Sequence, residues 1–131
     1  MSNLLKKHRI FVVDDEEVIA STLALILQKS GFEAVPFTQP LKVLESSRTD
    51  LPDLLISDVM MPVLNGIDLA IQIQEICPSC KVLPLSGQAN TQRLLDSARL
   101  TGNHFECVAK PVHPTEILRK IRESLGITQT S

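Results

Sequence analysis

The chain has 131 residues, of which 44% are hydrophobic and 21% are charged, and 13 basic against 15 acidic residues leave a net charge of -2. This length predicts one domain with a substantial core. The composition excludes both a disordered tail and a strongly basic nucleic-acid binder. No apolar run approaches the roughly 20 residues needed to cross a bilayer, and the start lacks a secretory signal. We therefore expect a soluble cytoplasmic domain that binds neither nucleic acid nor a membrane directly.

Five short apolar runs alternate with five helical patterns along the chain. The runs are rich in Val, Ile and Leu, which is typical of strands buried on both faces of a sheet. The helical patterns carry apolar residues on one face, and most of them end at Gly or Pro. The predicted strands span residues 9–13, 33–37, 53–57, 81–85 and 105–109, and the predicted helices span residues 17–30, 41–46, 66–76, 91–100 and 113 or 114 to 125.

This alternation predicts an α/β fold in which a five-stranded parallel sheet carries helices on both faces. Right-handed crossovers place the carboxyl ends of all the strands at one edge of the sheet, where ligands bind in such folds. Pro36 and Pro84 lie inside two predicted strands, so we expect each of them on an edge strand or near a strand end. With four Phe and no Trp or Tyr, the core is expected to be mainly aliphatic.

Polar and charged residues follow four of the predicted strands. Asp14 and Asp15 follow the first strand, and Asp58 follows the third. Ser86 follows the fourth strand and Lys110 follows the fifth. Each residue alone is explained by a helix cap or a solvated turn, since Asp and Ser favour helix N-termini. All of them at one edge of a parallel sheet predict a functional site.

The three carboxylates of this predicted site would repel one another and raise each other's pKa unless a cation lay between them. Mg2+ fits best, because it binds one or two carboxylates and completes its shell with water and phosphate oxygens. With an ammonium group and a hydroxyl nearby, the edge suits phosphoryl transfer to a carboxylate nucleophile. A flavodoxin-type flavin site is excluded, because the acidic first loop would repel the flavin phosphate.

Four motifs together resemble the receiver domain of bacterial response regulators: the pair Asp14-Asp15, the segment LLISDVMMPVLNG, Ser86-Gly87 and Lys110-Pro111. The resemblance covers about residues 8 to 125 of this chain. It implies a stand-alone receiver with a flavodoxin-like, doubly wound sheet of strand order 2-1-3-4-5. Residues 1–7 would then form an N-terminal extension, and residues 126–131 would form a frayed C-terminal tail.

The resemblance implies a role for each residue of the predicted site. Asp58 would be the phosphoacceptor, taking a phosphoryl group from a histidine kinase or a histidine phosphotransfer protein. Asp14, Asp15 and Asp58 would bind Mg2+, and the backbone carbonyl of Met60 would be a further ligand. Lys110 would pair with the phosphoryl oxygens.

The resemblance also implies how the domain would signal. Ser86 would be the switch hydroxyl that closes on the phosphoryl group, and the Lys110–Pro111 peptide bond would be cis. Gln88 would help to tune hydrolysis of the aspartyl phosphate, and Pro62 and Gly66 would shape the loop after the third strand. A downstream protein would bind the face formed by the fourth helix, the fifth strand and the fifth helix, and homodimerisation stays open.

One position departs from the family pattern. Receivers usually carry Tyr or Phe three residues before the Lys, whereas this sequence has Cys107 there. Phe105 lies two residues earlier, on the same predicted strand face, as either a substitute for the aromatic residue or a core residue. The departure leaves a second hypothesis open, a receiver-like docking domain that no longer switches.

Two further alternatives are disfavoured. An aspartyl-phosphate enzyme of the haloacid dehalogenase type needs a second Asp two residues after its nucleophile, and the acidic residues after the first strand are contiguous instead. We therefore expect no enzyme, beyond weak self-phosphorylation and aspartyl-phosphate hydrolysis. Cys77 and Cys80 follow a predicted helix rather than opening one and have no second ligand pair, so neither a redox motif nor a zinc site is expected.

Overall fold

Five strands alternate with five helices in the part of the chain that the computed structural model describes, residues 7–87 and 91–127. Every boundary except the start of the last strand lies within one residue of the predicted one. In chain order the elements are β1 (Arg9–Val13), α1 (Glu17–Lys29), β2 (Glu33–Phe37), α2 (Pro40–Ser47), β3 (Leu54–Asp58), α3 (Gly66–Ile76), β4 (Lys81–Ser86), α4 (Thr91–Leu100), β5 (Val108–Ala109) and α5 (Pro114–Leu125).

The strands form one parallel sheet in the order β2-β1-β3-β4-β5, which confirms the predicted fold class. The central strands β1 and β3 pair from Ile10 with Leu54 to Val13 with Ser57. Because these strands end side by side, the residues that follow them meet at the same edge of the sheet. Pro36 lies on the edge strand β2, as expected.

Both faces of the sheet carry a core, because successive residues of a strand point to opposite faces. Ile10 and Val12 of β1 pack on one face with residues of α1 and α5. Phe11 and Val13 pack on the other face with residues of α2 and α3. Each fully buried aliphatic side chain stabilises the fold by about 1.5–3 kcal/mol, so this two-sided burial favours β1 as an interior strand of the sheet.

The strand β5 is shorter than predicted, since it covers Val108–Ala109 rather than residues 105–109. Pro84 on β4 explains the difference. The carbonyl of Ser86 accepts a hydrogen bond from the backbone N–H of Lys110 at 2.9 Å, so Ser86 directs its backbone groups toward β5. Pro84, two residues earlier, faces the same side and has no N–H to donate. The two strands accordingly pair only beyond Pro84.

Local interactions set both ends of α5. At its start, His113 Nδ1 accepts a hydrogen bond from the backbone N–H of Thr115 at 3.2 Å. At its end, Gly126 adopts a left-handed conformation with φ of 70°. The N–H of Ile127 then donates to the carbonyl of Arg122 at 2.9 Å, as is common after a glycine that ends a helix.

The two ends of the chain fall largely outside the described residues. This applies to residues 1–6 of the predicted N-terminal extension and residues 128–131 of the predicted tail. Ile127, the last described residue, packs against the core that α5 covers. Among the described helices, none combines the length and the apolar character that a membrane span requires.

The loop between β3 and α3 contains one residue in a conformation that L side chains avoid. Val63 has a φ of 74°, and a left-handed residue costs about 1–2 kcal/mol unless it is Gly, or to a lesser degree Asn or Asp. The branched β-carbon of Val makes this conformation a genuine outlier. The Val63 side chain is 84% exposed, so burial does not offset the cost.

Replacement of Val63 by Asn should therefore raise the free energy of unfolding by about 0.5–1 kcal/mol, because Asn tolerates the left-handed conformation. Urea unfolding followed by circular dichroism measures this change. Val18→Asn is a matched control, since Val18 is also exposed but lies in α1, where Val and Asn have similar helix propensities. A Val63→Asn variant no more stable than the wild type would contradict the proposed strain.

Candidate acidic site at the carboxyl edge of the sheet

Asp14, directly after β1, is fixed through both its backbone and its side chain. Its backbone N–H donates to the carbonyl of Phe37 at 3.0 Å, which extends the pairing of β1 with β2 by one residue. Its Oδ1 accepts a hydrogen bond from the backbone N–H of Glu16 at 2.9 Å. Asp14 is only 3% exposed, whereas the neighbouring Asp15 is exposed. A buried carboxylate of this kind needs a charged partner.

Asp58 is the last residue of β3, and the loop that follows packs tightly against it. The N–H of Val59 donates to the carbonyl of Leu85 at 3.0 Å, and the N–H of Gly66 donates to the carbonyl of Val59 at 2.8 Å. A Cβ atom at Gly66 would lie 2.2 Å from the Asp58 carbonyl oxygen. Only glycine therefore allows α3 to begin so close to the end of β3.

The structure brings Asp14, Asp15 and Asp58 together, so that one carboxylate oxygen of each lies within 4.8 Å of the others. Lys110, which follows β5, places its ammonium group among them. Its Nζ lies 3.3 Å from Asp14 Oδ2 and 3.2 Å from Asp58 Oδ1. The Lys110–Pro111 peptide bond is cis. Three strands thus deliver three carboxyl groups and one cation to the same edge of the sheet.

Burial and the charge of the ion-pair partner shift the pKa values of Asp58 and Lys110 in opposite directions. Burial is the largest influence on the pKa of Asp58 and raises it. The hydrogen bond and charge of Lys110 lower this pKa, whereas the charges of Asp14 and Asp15 raise it. The net result is a pKa above the usual value. Burial lowers the pKa of Lys110, but the hydrogen bonds and charges of Asp58 and Asp14 outweigh this and raise it above its usual value. Lys110 is therefore protonated at neutral pH.

The side chains of this site fit a hard divalent cation. Three carboxyl groups faced by one ammonium group leave an excess of negative charge when they are ionised, and a cation bound to their oxygens would remove the repulsion. The cluster offers only oxygen ligands, which suit Mg2+, and the exposed Asp15 leaves it open to water. Met60 is 39% exposed in the loop after β3, and its carbonyl stays a predicted ligand.

Ser86 ends β4 beside this cluster and contacts the helix that follows. Its hydroxyl is hydrogen-bonded to the hydroxyl of Thr91, which is the first residue of α4 and is buried. Thr91 is not among the site residues predicted from the sequence. The available signal was a hydroxyl residue at the predicted start of the fourth helix, close in the chain to the predicted switch hydroxyl. Gln88 lies outside the described residues.

Phe105 and Cys107 lie before β5 and belong to the hydrophobic cluster beneath α3 and α4. Phe105 is 9% exposed and packs in this cluster with Ile67 and Leu95, so it is a core residue. Cys107 is half-buried at the margin of the same cluster. The prediction that both residues share one strand face is wrong, because β5 begins only at Val108.

Cys77 and Cys80 flank the turn between α3 and β4, and both are buried free thiols. The N–H of Cys80 donates to the carbonyl of Cys77 at 3.0 Å and closes the turn. Burial, with smaller contributions from the charges of Cys77 and Asp53, raises the pKa of the Cys80 thiol to about 12. Since the thiolate is the reactive form, this environment opposes redox or metal chemistry at the pair.

Comparison with known proteins places this geometry in a family. A family model described as the response regulator receiver domain matches residues 10–122. Transcriptional regulatory protein CreB of Escherichia coli (strain K12) is 31% identical over 121 residues, which are 92% of this chain and 52% of CreB. Chemotaxis protein CheY of Thermotoga maritima is 26% identical over 116 residues, which are 88% of this chain and 95% of CheY.

A solved structure shows the same architecture. The crystal structure of a response regulator receiver domain protein (CheY-like) from Methanospirillum hungatei JF-1 superimposes with a TM-score of 0.83 at 25% identity, covering 92% of this chain and 95% of that one. The chain therefore belongs to the response regulator receiver domain family of two-component signalling. It spans about half the length of CreB and nearly the whole length of CheY.

The raised pKa of Asp58 predicts a pH-dependent effect of Asp58→Asn on stability. Because the folded-state pKa lies above the usual value of 3.8, ionisation of Asp58 destabilises the folded state as the pH rises through that pKa. The wild type carries this cost at neutral pH and the variant does not. We expect the variant to be the more stable protein at neutral pH, and the difference to shrink as the pH falls below 3.8.

Urea unfolding at a series of pH values tests this expectation. Asp96→Asn is the control for loss of one negative charge, because Asp96 is exposed on α4 and lies outside the acidic cluster. If Asp58→Asn were more stable than the wild type by the same amount at every pH, ionisation of the Asp58 carboxyl group would not be the cause.

Because Cys77 and Cys80 are buried, we expect alkylating reagents to modify their thiols slowly in the folded protein. At neutral pH we expect Cys80 to react with iodoacetamide at least about a hundredfold more slowly than in urea, because it is buried and its pKa is about 12, so little thiolate forms. The half-buried Cys107 should react first among the three cysteines. Peptide mass spectrometry after timed labelling measures each rate. Rapid labelling or facile oxidation of Cys77 and Cys80 in the folded protein would revive the redox hypothesis.

Proposed function

We propose that this chain is a phosphoacceptor domain in which Asp58 takes a phosphoryl group from a histidine kinase or a histidine phosphotransfer protein with Mg2+. The observation that carries the proposal is the difference between Asp14 and Asp58. Asp14 is buried, with Oδ1 bonded to the N–H of Glu16 and Oδ2 facing Lys110. The Asp58 side chain is 13% exposed, and its Oδ1 faces Lys110. Among the described residues, none donates a hydrogen bond to Asp58 Oδ2, so this oxygen is available to attack phosphorus.

The proposed reaction exchanges one bond to phosphorus for another. Asp58 Oδ2 attacks the phosphorus of the donor's phosphohistidine, a phosphorus–oxygen bond forms, and the phosphorus–nitrogen bond breaks. The bonding pair stays on the histidine nitrogen. Lys110 neutralises charge on the phosphoryl oxygens from its position 3.2 Å from Asp58 Oδ1, and Ser86 donates a hydrogen bond to one of them. Positioning and neutralisation are the main requirements of such a transfer.

The acidic cluster would hold the metal ion in this function. Asp14, Asp15 and Asp58 are the side-chain ligands that we assign, and the carbonyl of Met60 is the backbone ligand. When bound, Mg2+ supplies positive charge against the phosphoryl oxygens. Asp14 is the rigid ligand because its neighbours fix it, whereas the exposed Asp15 leaves the site accessible to water.

An apolar groove beside the acidic cluster supports docking of a donor protein. The groove between α1 and the start of α5 has a volume of about 730 Å³, and Lys110 forms part of its wall. Val18 and Ile19 at its rim are 76% and 38% exposed. A donor protein that brings a phosphohistidine to Asp58 covers this rim, and an exposed apolar patch next to a reactive group suits such a contact.

The output of the proposed domain is a change in partner affinity. Phosphorylation would shift an equilibrium between existing conformers and alter the face formed by α4, β5 and α5, where a downstream protein would bind. We place this receiver at residues 8–125 and in the cytoplasm, without direct contact to nucleic acid or membrane. We propose no enzymatic turnover beyond weak self-phosphorylation and hydrolysis of the aspartyl phosphate.

One observation favours a second function, a docking domain that does not switch. Cys107 offers only a small side chain where most receivers carry an aromatic residue, and Phe105 is already buried in the core. Neither residue supplies an aromatic ring that moves when Ser86 moves. Amide exchange in α4 that is the same with and without a beryllium fluoride mimic of the phosphoryl group would favour this second function.

Labelling with a small phosphodonor tests the phosphoacceptor assignment. We expect the wild type to gain one phosphoryl group from acetyl phosphate in the presence of Mg2+, and Asp58→Asn to gain none, because the nucleophilic carboxylate is absent. Intact-mass spectrometry measures the product. Chelation of Mg2+ should reduce labelling of the wild type at least about tenfold, since the charge of the phosphoryl group then lies against unscreened carboxylates.

The matched control for this experiment is Asp96→Asn, which removes an exposed carboxylate outside the acidic cluster and should label like the wild type. One phosphoryl group on Asp58→Asn would show that another residue is the acceptor. Continuous turnover of simple phosphate esters with Mg2+ would point to an enzyme instead.

A further inference from the structure

The hydroxyl pair of Ser86 and Thr91 joins the candidate site to the start of α4. Ser86 accepts a backbone hydrogen bond from Lys110 at 2.9 Å, while its hydroxyl is bonded to the hydroxyl of Thr91. Thr91 is 6% exposed and is the first residue of α4. A single residue at the end of β4 therefore contacts the Lys110 backbone on one side and the first turn of a helix on the other.

Among the described residues, those around β5 offer no comparable link to α4. Phe105 packs in the same hydrophobic cluster as Leu95 and Ala98 of α4, and at 9% exposure it has little room to move. Cys107, at the margin of that cluster, offers only a short side chain. Coupling between the site and α4 therefore depends on a different contact, and the pair of hydroxyl groups provides one.

We propose that Thr91 is a positioning residue that competes with the phosphoryl group for the hydroxyl of Ser86. This inference rests on the proposed function. A serine hydroxyl carries one proton, and phosphoryl oxygens only accept hydrogen bonds, so Ser86 must donate to them. Rotation of the Ser86 side chain toward Asp58 withdraws its hydroxyl from Thr91. The buried Thr91 hydroxyl then loses this partner, which is unfavourable and is relieved by movement of the first turn of α4.

The variant Thr91→Val tests this competition. Valine keeps the branched shape of threonine and removes its hydroxyl, so the hydrogen bond between residue 91 and Ser86 is lost. We expect Thr91→Val to bind beryllium fluoride in the presence of Mg2+ about three- to tenfold more tightly than the wild type, the equivalent of one hydroxyl hydrogen bond. Thr91→Ser keeps the hydroxyl and should stay within about twofold of the wild type. Isothermal titration calorimetry measures the affinities.

A double-mutant cycle shows whether Thr91 acts through Ser86. In a Ser86→Ala background the competition no longer exists, so Thr91→Val should change the affinity by less than about twofold. Equal affinities of Thr91→Val and the wild type would overturn the proposal. So would a tightening that persists in the Ser86→Ala background, because Thr91 would then act through helix packing. If Thr91→Val fails to fold, Thr91→Ala removes the same hydroxyl and completes the same cycle.

Amide exchange gives a readout at the helix itself. In the wild type we expect beryllium fluoride to accelerate exchange in the first turn of α4. In Thr91→Val the exchange should be fast already without the mimic, and the mimic should change it little. Slow exchange in this variant without the mimic would overturn the proposed coupling.

The same experiments separate this inference from the function on which it rests. A wild type that binds no beryllium fluoride in the presence of Mg2+ would contradict the phosphoacceptor function, and the role of Thr91 with it. A wild type that binds the mimic while Thr91→Val behaves identically would overturn only the role of Thr91.

Discussion

The contact of Lys110 with two carboxylates is the interaction on which the rest of the site depends. A carboxylate as buried as Asp14 loses several kcal/mol of hydration, and Asp58 beside it adds a second charge of the same sign. One ammonium group within 3.3 Å of both makes this arrangement tolerable. Lys110 is 96 residues away from Asp14 in the chain. Only the parallel sheet, which ends its strands at one edge, brings the two residues together.

The same sheet explains why most of the architecture could be predicted from the sequence. Strands buried on both faces must be apolar at nearly every position, so β1 and β3 appear as short apolar runs that end at their first carboxylate. Once the strands are known to be parallel, the convergence of Asp14, Asp58 and Lys110 follows without any knowledge of side-chain contacts. The residues that carry charge are predictable because the strand ends position them.

The structural features that the sequence did not predict depend on contacts between segments distant in the chain or on the local path of the backbone. The length of β5 is set by the missing N–H of Pro84 on the neighbouring strand, which no pattern within residues 105–109 reveals. The need for glycine at position 66 arises because α3 begins against the Asp58 carbonyl oxygen. Thr91 looks like an ordinary helix start, and only the position of the start of α4 against the end of β4 brings its hydroxyl to Ser86.

The charge balance of the site also explains why a signal would spread from it under the proposed function. Phosphorylation of Asp58 would replace the single charge of its carboxylate with a phosphoryl group that carries about 1.5 to 2 negative charges at neutral pH, at an edge where one lysine already faces two carboxylates. The nearest groups that can respond are those able to donate hydrogen bonds to the new oxygens. Lys110 is held by Asp14 and Asp58, and Asp14 is fixed by its backbone, so neither can move far. Ser86 has a hydroxyl that turns about a single bond, and this hydroxyl is bonded to Thr91, the first residue of a helix. The rigidity of the acidic cluster thus directs the response toward α4.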